Sequence, residues 1–197
     1  MGQGRIGVLG GSGLYEIEGF EDREETVLDT PFGFPSDAFV QGTLEGREVV
    51  FLARHGRGHR VNPSEINYRA NVWGMRKLGV EFLVAISACG SLREEIAPGD
   101  FVVIDQHIDR TKGRDATFFE DGIVAHIMFA DPITAGLAEL VADAAEEAGA
   151  KGPRGGTPPL LGGAAVSPRA ASDPSRGWGR GVPGASELTR ATLAPAG

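Results

Sequence analysis

The chain has 197 residues and a formal net charge of -8, with 41% hydrophobic and 23% charged residues. This length fits one domain that can bury a sizeable core, and the composition is ordinary for a globular chain. A broad nucleic-acid surface needs clustered cations, so the acidic balance argues against a nucleic-acid partner.

The sequence shows neither a signal-peptide pattern nor an apolar run of about 18 residues that could span a membrane. Its single cysteine, Cys89, cannot form an internal disulfide, which favours a reducing compartment. We therefore expect a cytoplasmic protein with no membrane partner. We expect Cys89 to be a small buried residue at a strand end rather than a nucleophile.

Apolar runs alternate with turn signals along the first 150 residues and predict both strands and helices. The predicted elements are strands at 6–9 and 49–54, a helix from 63–65 to 79, strands at 82–90 and 101–109, and a helix at 137–148. Strands that alternate with helices indicate an α/β fold, a three-layer sandwich with a central mixed sheet.

Residues 151–197 differ in composition from the rest of the chain. They hold 10 of the 30 glycines and 7 of the 12 prolines, and one aromatic residue, Trp178. This composition favours poor order. We expect residues 1–150 and residues 151–197 to belong to one domain, the second part being a degraded continuation of the first.

Small or cationic polar residues follow three of the predicted strands: Gly10 to Gly13, Arg54 with His55, and Ser87 to Gly90. Ligands of open α/β sheets gather at the carboxyl ends of strands. Glycines let backbone N–H groups approach an anion, hydroxyls donate to its oxygens, and arginine offers a fork matched to phosphate. The three loops together predict a site for one phosphate.

Two other chemistries fit parts of this pattern. The early glycines suggest a dinucleotide-binding oxidoreductase, but Leu14, Tyr15 and Glu16 follow where G-x-G-x-x-G needs its last glycine. A plain tight turn explains the same glycines equally well. The spacing of His55 and His59 invites a zinc site, but zinc needs three or four ligands and no cysteine or carboxylate stands nearby at suitable spacing. We expect no metal.

Several stretches carry the motifs of one family in its order: GGSGL, DTPFGFPSDA, LARHGRGH, NPSEINYRANVW, SACGSLREEIAPGDFVVIDQHIDRT and FADP. With them, residues 5–150 resemble the methylthioadenosine phosphorylase branch of the purine nucleoside phosphorylases. The resemblance implies a nucleoside phosphorylase-like fold and a homotrimer. It also implies phosphorolysis of a purine (5′-methylthio)nucleoside to free base and (5-methylthio)ribose 1-phosphate, in purine salvage. Inorganic phosphate would be a co-substrate, with no metal or organic cofactor.

The resemblance also implies which residues bind. Phosphate would sit among positions matching Ser12, Arg54, His55 and Ser87, with Ala88 beside phosphate and substrate. Further residues fall in matching motifs near the site or the subunit interface, with less defined roles: His59, Asn67, Tyr68 and Asn71.

Beyond Gly149 the resemblance weakens, although the spacing is kept. Gly162 stands where the family has glutamate, and Val166 where it has a phenylalanine that stacks on the base. Ser167 retains a serine at the base. Ala185 replaces a methionine that packs on the ribose, and Ser186 replaces a phosphate-binding threonine conservatively. The predicted substrate contacts are therefore Ala88, Val166, Ser167 and Ala185, and Ser186 joins the phosphate set.

Two explanations account for this tail. The codons for the family's Gly-Pro-Arg-Phe, read one base early, encode Gly-Ala-Ala-Val, which stands at residues 163–166. A local frame displacement and a natural divergence both fit. The sequence also stops before the acidic segment that distinguishes purine bases in the family. We expect phosphate recognition to be intact and base recognition impaired, with little or no phosphorolysis. The alternative is a non-catalytic remnant that binds phosphate and oligomerises.

Overall fold

The structure, a computed structural model, describes residues 4–11 and 17–161 of the chain. These residues fall into two compact units. The first contains residues up to Ser87 together with 113–127, and the second contains 88–112 and 128–161. Among the described residues, no helix is long and apolar enough to cross a membrane.

A five-stranded mixed sheet forms the centre of the first unit. Its strands are β1 (Arg5–Gly10), β2 (Phe20–Thr26), β3 (Phe39–Leu44), β4 (Arg47–Ala53) and β5 (Val80–Ala85). Their spatial order is β2-β3-β4-β1-β5. Strand β1 pairs in parallel with β4 and β5, whereas β2, β3 and β4 pair antiparallel. The expected α/β fold with a mixed sheet is therefore confirmed.

The turn between β3 and β4 contains only two residues, Glu45 and Gly46, both with positive φ (48° and 71°). Two-residue hairpin turns of this kind match the twist of the flanking strands, and glycine adopts positive φ without steric cost. The turn delivers the apolar run of β4 into the centre of the sheet, where Val49 to Ala53 are all buried.

The first helix, α1 (Tyr68–Lys77), covers one face of this sheet. Met75 of the helix belongs to a buried cluster with Phe39, Val50 and Leu52. The ring of Phe39 is fully buried and lies directly against Gly74. A Cβ atom on Gly74 would overlap this ring, lying 2.7 Å from Cε2 of Phe39. Glycine at this position therefore lets the helix approach the sheet closely.

The predicted start of this helix at 63–65 is wrong. The helix begins at Tyr68, because the side chain of Asn67 accepts a hydrogen bond from the backbone N–H of Ala70 at 3.0 Å and caps it there. Residues 62–65 form a separate turn, in which Glu65 N–H donates to the Asn62 carbonyl. The predicted end is confirmed, since Gly79 follows the helix with φ of 80°.

The second unit contains α2 (Ala135–Glu147), which confirms the predicted helix at 137–148. Its strands β6 (Ile108–Arg110) and β7 (Pro159–Leu161) pair in parallel. The predicted strand at 101–109 is wrong over most of its length. Residues 101–105 instead make irregular backbone bonds with 151–156, a segment whose three glycines have positive φ and interrupt a regular ladder.

Candidate functional site

The three predicted binding loops begin at one edge of the central sheet. Strands β4, β1 and β5 are adjacent and parallel, so their carboxyl ends meet there. The N–H of Arg54 donates to the Gly10 carbonyl at 2.9 Å, and the N–H of Ile86 donates to the Leu9 carbonyl at 2.8 Å. Gly11 is exposed, and among the described residues other than its chain neighbours no heavy atom lies within 4 Å of the place a Cβ would occupy.

Arg54 and Ser87 meet across this edge. The Nη1 group of Arg54 donates to the hydroxyl oxygen of Ser87. This contact joins side chains 33 positions apart in the sequence, from the ends of β4 and β5. The structure therefore brings together two of the predicted phosphate residues, while Ser12 lies outside the described residues.

The guanidinium of Arg54 is a half-buried cation. Burial lowers its pKa, and the nearby Tyr68 phenol partly opposes this effect. An arginine side chain nonetheless stays protonated in proteins. Within residues 4–11 and 17–161, no carboxylate forms an ion pair with it. A partly desolvated cation without an internal counter-ion favours an external anion.

The imidazole of His55 lies behind Arg54 and is 9% exposed. Its Nδ1 lies 2.8 Å from the Val61 carbonyl oxygen, and its Nε2 lies 3.2 Å from Nε of Arg54. The Arg54 Nε–H can only donate, so Nε2 is the acceptor and Nδ1–H donates to Val61. The ring is therefore neutral in this arrangement. Direct donation from Nε2 to phosphate would require a proton there and release of the Arg54 contact.

We expect stability to depend on pH through His55. Burial lowers the pKa of its imidazole, and Arg54 and His59 lower it further, against an opposing effect of the Val61 carbonyl. An unperturbed histidine has a pKa of about 6.5, and His55 in the folded protein has a lower one. Between these two pH values the unfolded chain binds more protons than the folded protein. The stabilisation that comes from the neutral His55 ring is therefore lost as pH falls through that window. The wild-type protein should lose more free energy of unfolding between about pH 7.5 and about pH 5.5 than His55→Gln.

Chemical denaturation at the two pH values measures this difference. Glutamine can keep one acceptor and one donor at this position but does not titrate, so the carboxylates common to both proteins cancel in the comparison. Equal losses in the two proteins would contradict the prediction.

His59 stacks on His55, with ring centroids 4.4 Å apart, and is itself exposed. Its backbone has a φ of 56°, which the surrounding glycine-rich turn imposes. Among the residues that the structure describes, no three histidine, cysteine, aspartate or glutamate side chains lie together as a metal-ligand set.

The third loop leaves the sheet earlier than predicted. Strand β5 ends at Ala85 rather than at residue 90, because the ladder with β1 ends where β1 reaches Gly10. Ala88 and Cys89 are both exposed, so the expectation that Cys89 is buried is wrong. The other predicted contacts lie outside the described residues: Val166, Ser167, Ala185 and Ser186.

The structure also describes the surroundings of three residues whose predicted roles were less defined: Asn67, Tyr68 and Asn71. Asn67 caps α1, and Asn71 is fully buried. The amide of Asn71 accepts from the Ser36 N–H at 2.8 Å and donates to the Ser36 hydroxyl at 2.9 Å. The Tyr68 hydroxyl contacts the Arg114 guanidinium at 3.4 Å. Asn67 and Asn71 thus have local structural partners.

Sequence reasoning missed the role of Val61, whose carbonyl fixes the His55 ring. The two residues pair reciprocally, because the Val61 N–H also donates to the His55 carbonyl at 2.9 Å. A backbone carbonyl has no sequence signature, and only the closed turn of 55–61 brings it to the ring.

Comparisons with known proteins identify the family to which the sequence is related. A sequence profile of the phosphorylase superfamily matches residues 5–167. S-methyl-5′-thioadenosine phosphorylase of Geobacter sulfurreducens is 55% identical over 190 residues, 96% of this chain and 66% of that protein. The protein of the same name from Koribacter versatilis is 50% identical over 192 residues, 98% of this chain and 66% of that protein.

Solved structures agree in fold. The crystal structure of methylthioadenosine phosphorylase from an antarctic soil metagenomic library superposes with a TM-score of 0.78, at 42% identity over 85% of this chain and 60% of that chain. The Schistosoma mansoni methylthioadenosine phosphorylase gives 0.77, at 34% identity over 85% of this chain and 67% of that chain. This chain spans about two thirds of the length of the curated relatives it matches.

Proposed function

Because this chain belongs to the phosphorylase superfamily, we propose that its site serves phosphorolysis of a purine nucleoside of the 5′-methylthioadenosine class. The products are the free purine and (5-methylthio)ribose 1-phosphate, which makes the protein a pentosyltransferase of purine salvage. The relatives from Geobacter sulfurreducens and Koribacter versatilis carry the name S-methyl-5′-thioadenosine phosphorylase, and this supports the substrate class.

The observation that carries the proposal is the half-buried Arg54 cation, which bonds Ser87 across the strand ends and has no described carboxylate partner. Its guanidinium offers parallel N–H donors that match two phosphate oxygens. Ser87 adds a hydroxyl, and Ser12, Ala88 and Ser186 complete the proposed phosphate set. We name Arg54, His55 and Ser87 the phosphate arm.

The chemistry follows from an anion held below the sugar. A phosphate oxygen attacks C1′ of the ribose and forms the new C–O bond, while the C1′–N bond breaks and its electron pair leaves with the purine. The hydrogen phosphate gives up one proton as its ester forms, and one proton neutralises the departing base, so the step balances. The sugar carbon is cation-like in between, so a fixed anion beneath it stabilises the transition state, and positioning supplies much of the rate. The reaction needs no metal and no organic cofactor.

A second candidate function takes account of the positions in the last part of the sequence that differ from the family. Val166 and Ala185 stand where the resemblance implies a stacking phenylalanine and a ribose-packing methionine, and each offers less apolar surface. We propose that phosphate binding is retained while base recognition at Val166, Ser167 and Ala185 is weak. The protein would then bind phosphate and oligomerise with little turnover.

One pair of measurements separates the two candidates. Purified protein is incubated with methylthioadenosine or with inosine, with and without phosphate, and free purine is quantified by chromatography. Phosphate-dependent purine release supports the enzyme. A thermal shift with phosphate but no purine release supports the non-catalytic binder. A protein that shows neither response contradicts both.

We further propose a cytoplasmic homotrimer without nucleic-acid or membrane partners. The trimer is an implication of the family resemblance, and exposed apolar side chains in the first unit are compatible with a subunit contact: Phe118, Phe119, Ile123, Val124 and Ile127. Light scattering coupled to size-exclusion chromatography measures the mass directly, and a monomer would contradict this assembly.

A further inference from the structure

The second arginine of the LARHGRGH stretch, Arg57, has carboxylate partners that do not belong to the phosphate arm. The guanidinium of Arg57 makes two parallel hydrogen bonds to Glu25 of strand β2, each 2.8 Å long. Its Nε lies 3.5 Å from Oδ2 of Asp37. The two cationic side chains of this stretch thus have different environments, since carboxylates surround Arg57 and no described carboxylate pairs with Arg54.

Asp37 holds the backbone of the same turn. Its Oδ2 accepts the Arg57 N–H at 2.6 Å, and its side chain is only 12% exposed. The preceding residue, Ser36, is fixed by the buried amide of Asn71 on α1. Gly56 packs closely here, because a Cβ on it would lie 3.1 Å from the Ser36 carbonyl oxygen. The turn is therefore tied to both α1 and the edge strand β2.

Backbone hydrogen bonds connect this turn to His55 of the phosphate arm. The N–H of Gly56 donates to the Ala53 carbonyl at 3.0 Å, and the N–H of His59 donates to the Gly56 carbonyl at 3.1 Å. His55 and Val61 pair at the base of the same turn. A shift of this turn would move the His55 ring, and the ring accepts the hydrogen bond from Arg54 Nε.

From these contacts we propose that Arg57, Glu25 and Asp37 form a clamp that positions the phosphate arm and thereby sets its affinity for phosphate. This inference rests on the proposed function, because it assigns positioning residues to the same site. None of the clamp side chains touches the phosphate. They act through the turn that carries His55, and through His55 on Arg54.

A change in net charge and a change in the position of the turn would have opposite effects on phosphate binding in Glu25→Gln. Glu25→Gln removes a negative charge from the protein, so a purely electrostatic effect would strengthen phosphate binding. Loss of the bidentate ion pair loosens the turn and weakens phosphate binding. Arg57→Lys leaves the net charge unchanged but cannot reproduce the planar fork, so it also weakens binding through position alone.

The chain offers a matched control in its second unit. Arg154 pairs with Glu146 at 2.8 Å, and the two side chains are 46% and 58% exposed. The values for Arg57 and Glu25 are 45% and 56%. Glu146→Gln and Arg154→Lys thus repeat the same chemical changes at an exposed pair of similar accessibility.

Isothermal titration of inorganic phosphate into the full 197-residue protein measures the effect. We expect Glu25→Gln and Arg57→Lys each to raise the phosphate Kd about three- to tenfold, and both control variants to stay within about 1.5-fold of wild type. The melting temperature without phosphate is recorded for every variant, so that a global loss of stability is distinguished from a lost phosphate response.

The possible outcomes distinguish failure of the clamp from failure of the proposed function. A wild-type phosphate response that is unchanged or strengthened in Glu25→Gln would overturn the clamp and leave the proposed function standing. An equal loss in the clamp variants and the control variants would also overturn it, since the effect would then not be specific to this turn. A wild-type protein without any phosphate response would overturn the proposed function itself.

Discussion

Replacement of Arg54 by alanine should remove most of the phosphate-induced stabilisation. The guanidinium is the half-buried cation of the phosphate arm, and it bonds both Ser87 and His55. Truncating one partner of a buried charged pair costs about 2–5 kcal/mol, so phosphate affinity should fall about 30-fold or more. At a phosphate concentration about 100 times the wild-type Kd, the stabilisation of about 2.7 kcal/mol should then fall to about 0.9 kcal/mol or less.

The measurement is a thermal melt over a range of phosphate concentrations, with three comparison variants. Arg54→Lys keeps the charge but loses the fork and the Nε–H that bonds His55, so an intermediate response is expected. His59→Ala should weaken phosphate protection less than Arg54→Ala. Arg93→Ala removes an exposed arginine of the second unit and should leave the response unchanged. Equal losses in Arg54→Ala and His59→Ala would indicate that the cluster acts as one structural unit.

Replacement of Gly74 by alanine should destabilise the protein although alanine is the better helix former. The new methyl group would overlap the Phe39 ring, which is fully buried beneath α1. Overpacking of this kind costs about 1–3 kcal/mol or more, whereas the helix preference for alanine over glycine is worth only about 1 kcal/mol. We expect a net loss of about 2 kcal/mol, because the overpacking cost should lie near its upper end around a fully buried ring and the helix preference offsets part of it.

A matched variant isolates the clash. Gly136 lies in α2, and among the described residues outside its own helix backbone no heavy atom lies within 4 Å of a would-be Cβ, so Gly136→Ala should cause no loss of stability and should gain up to about 1 kcal/mol from helix preference. Phe39→Leu shortens the opposing side chain and should recover part of the loss in the Gly74→Ala background. Denaturant midpoints measure all of these. A Gly74→Ala protein as stable as wild type would show that the helix can move away from the sheet.

The sequence predicted the strands whose residues are buried on both faces. Strands β1 and β4 are apolar runs next to glycine turns, and both are confirmed. Strand β2 has the opposite character: five of its seven residues are exposed and most are charged, so no apolar pattern marked it. The apolar run at 101–109 predicted a long strand, but the glycine-rich partner segment pairs with it irregularly. Residue pattern alone could not show which partner a segment meets.

At the candidate site, too, the sequence predicted some contacts and gave no sign of others. Strand-end placement predicted that Arg54 and Ser87 would meet, because parallel strands deliver their ends to one edge. The pattern marked Arg54 as a strand-end residue of the phosphate site but gave no role to Arg57, which stands in the same short glycine-rich stretch. Their partners come from distant parts of the chain, Ser87 for the first and Glu25 for the second. Tertiary contacts of this kind leave no local signal.

Strand β2 also has a consequence for association between copies of the chain. It lies at one edge of the central sheet, and its exposed residues include Glu21, Asp22, Glu24 and Glu25. The pairing register with β3 shifts between Glu21 and Glu24, and Asp22 has a φ of 50°. An irregular, negatively charged edge repels the same edge of another molecule and offers no continuous ladder to an added strand. Glu25, which helps to order the turn beside the phosphate arm, therefore also belongs to an edge that disfavours edge-to-edge aggregation.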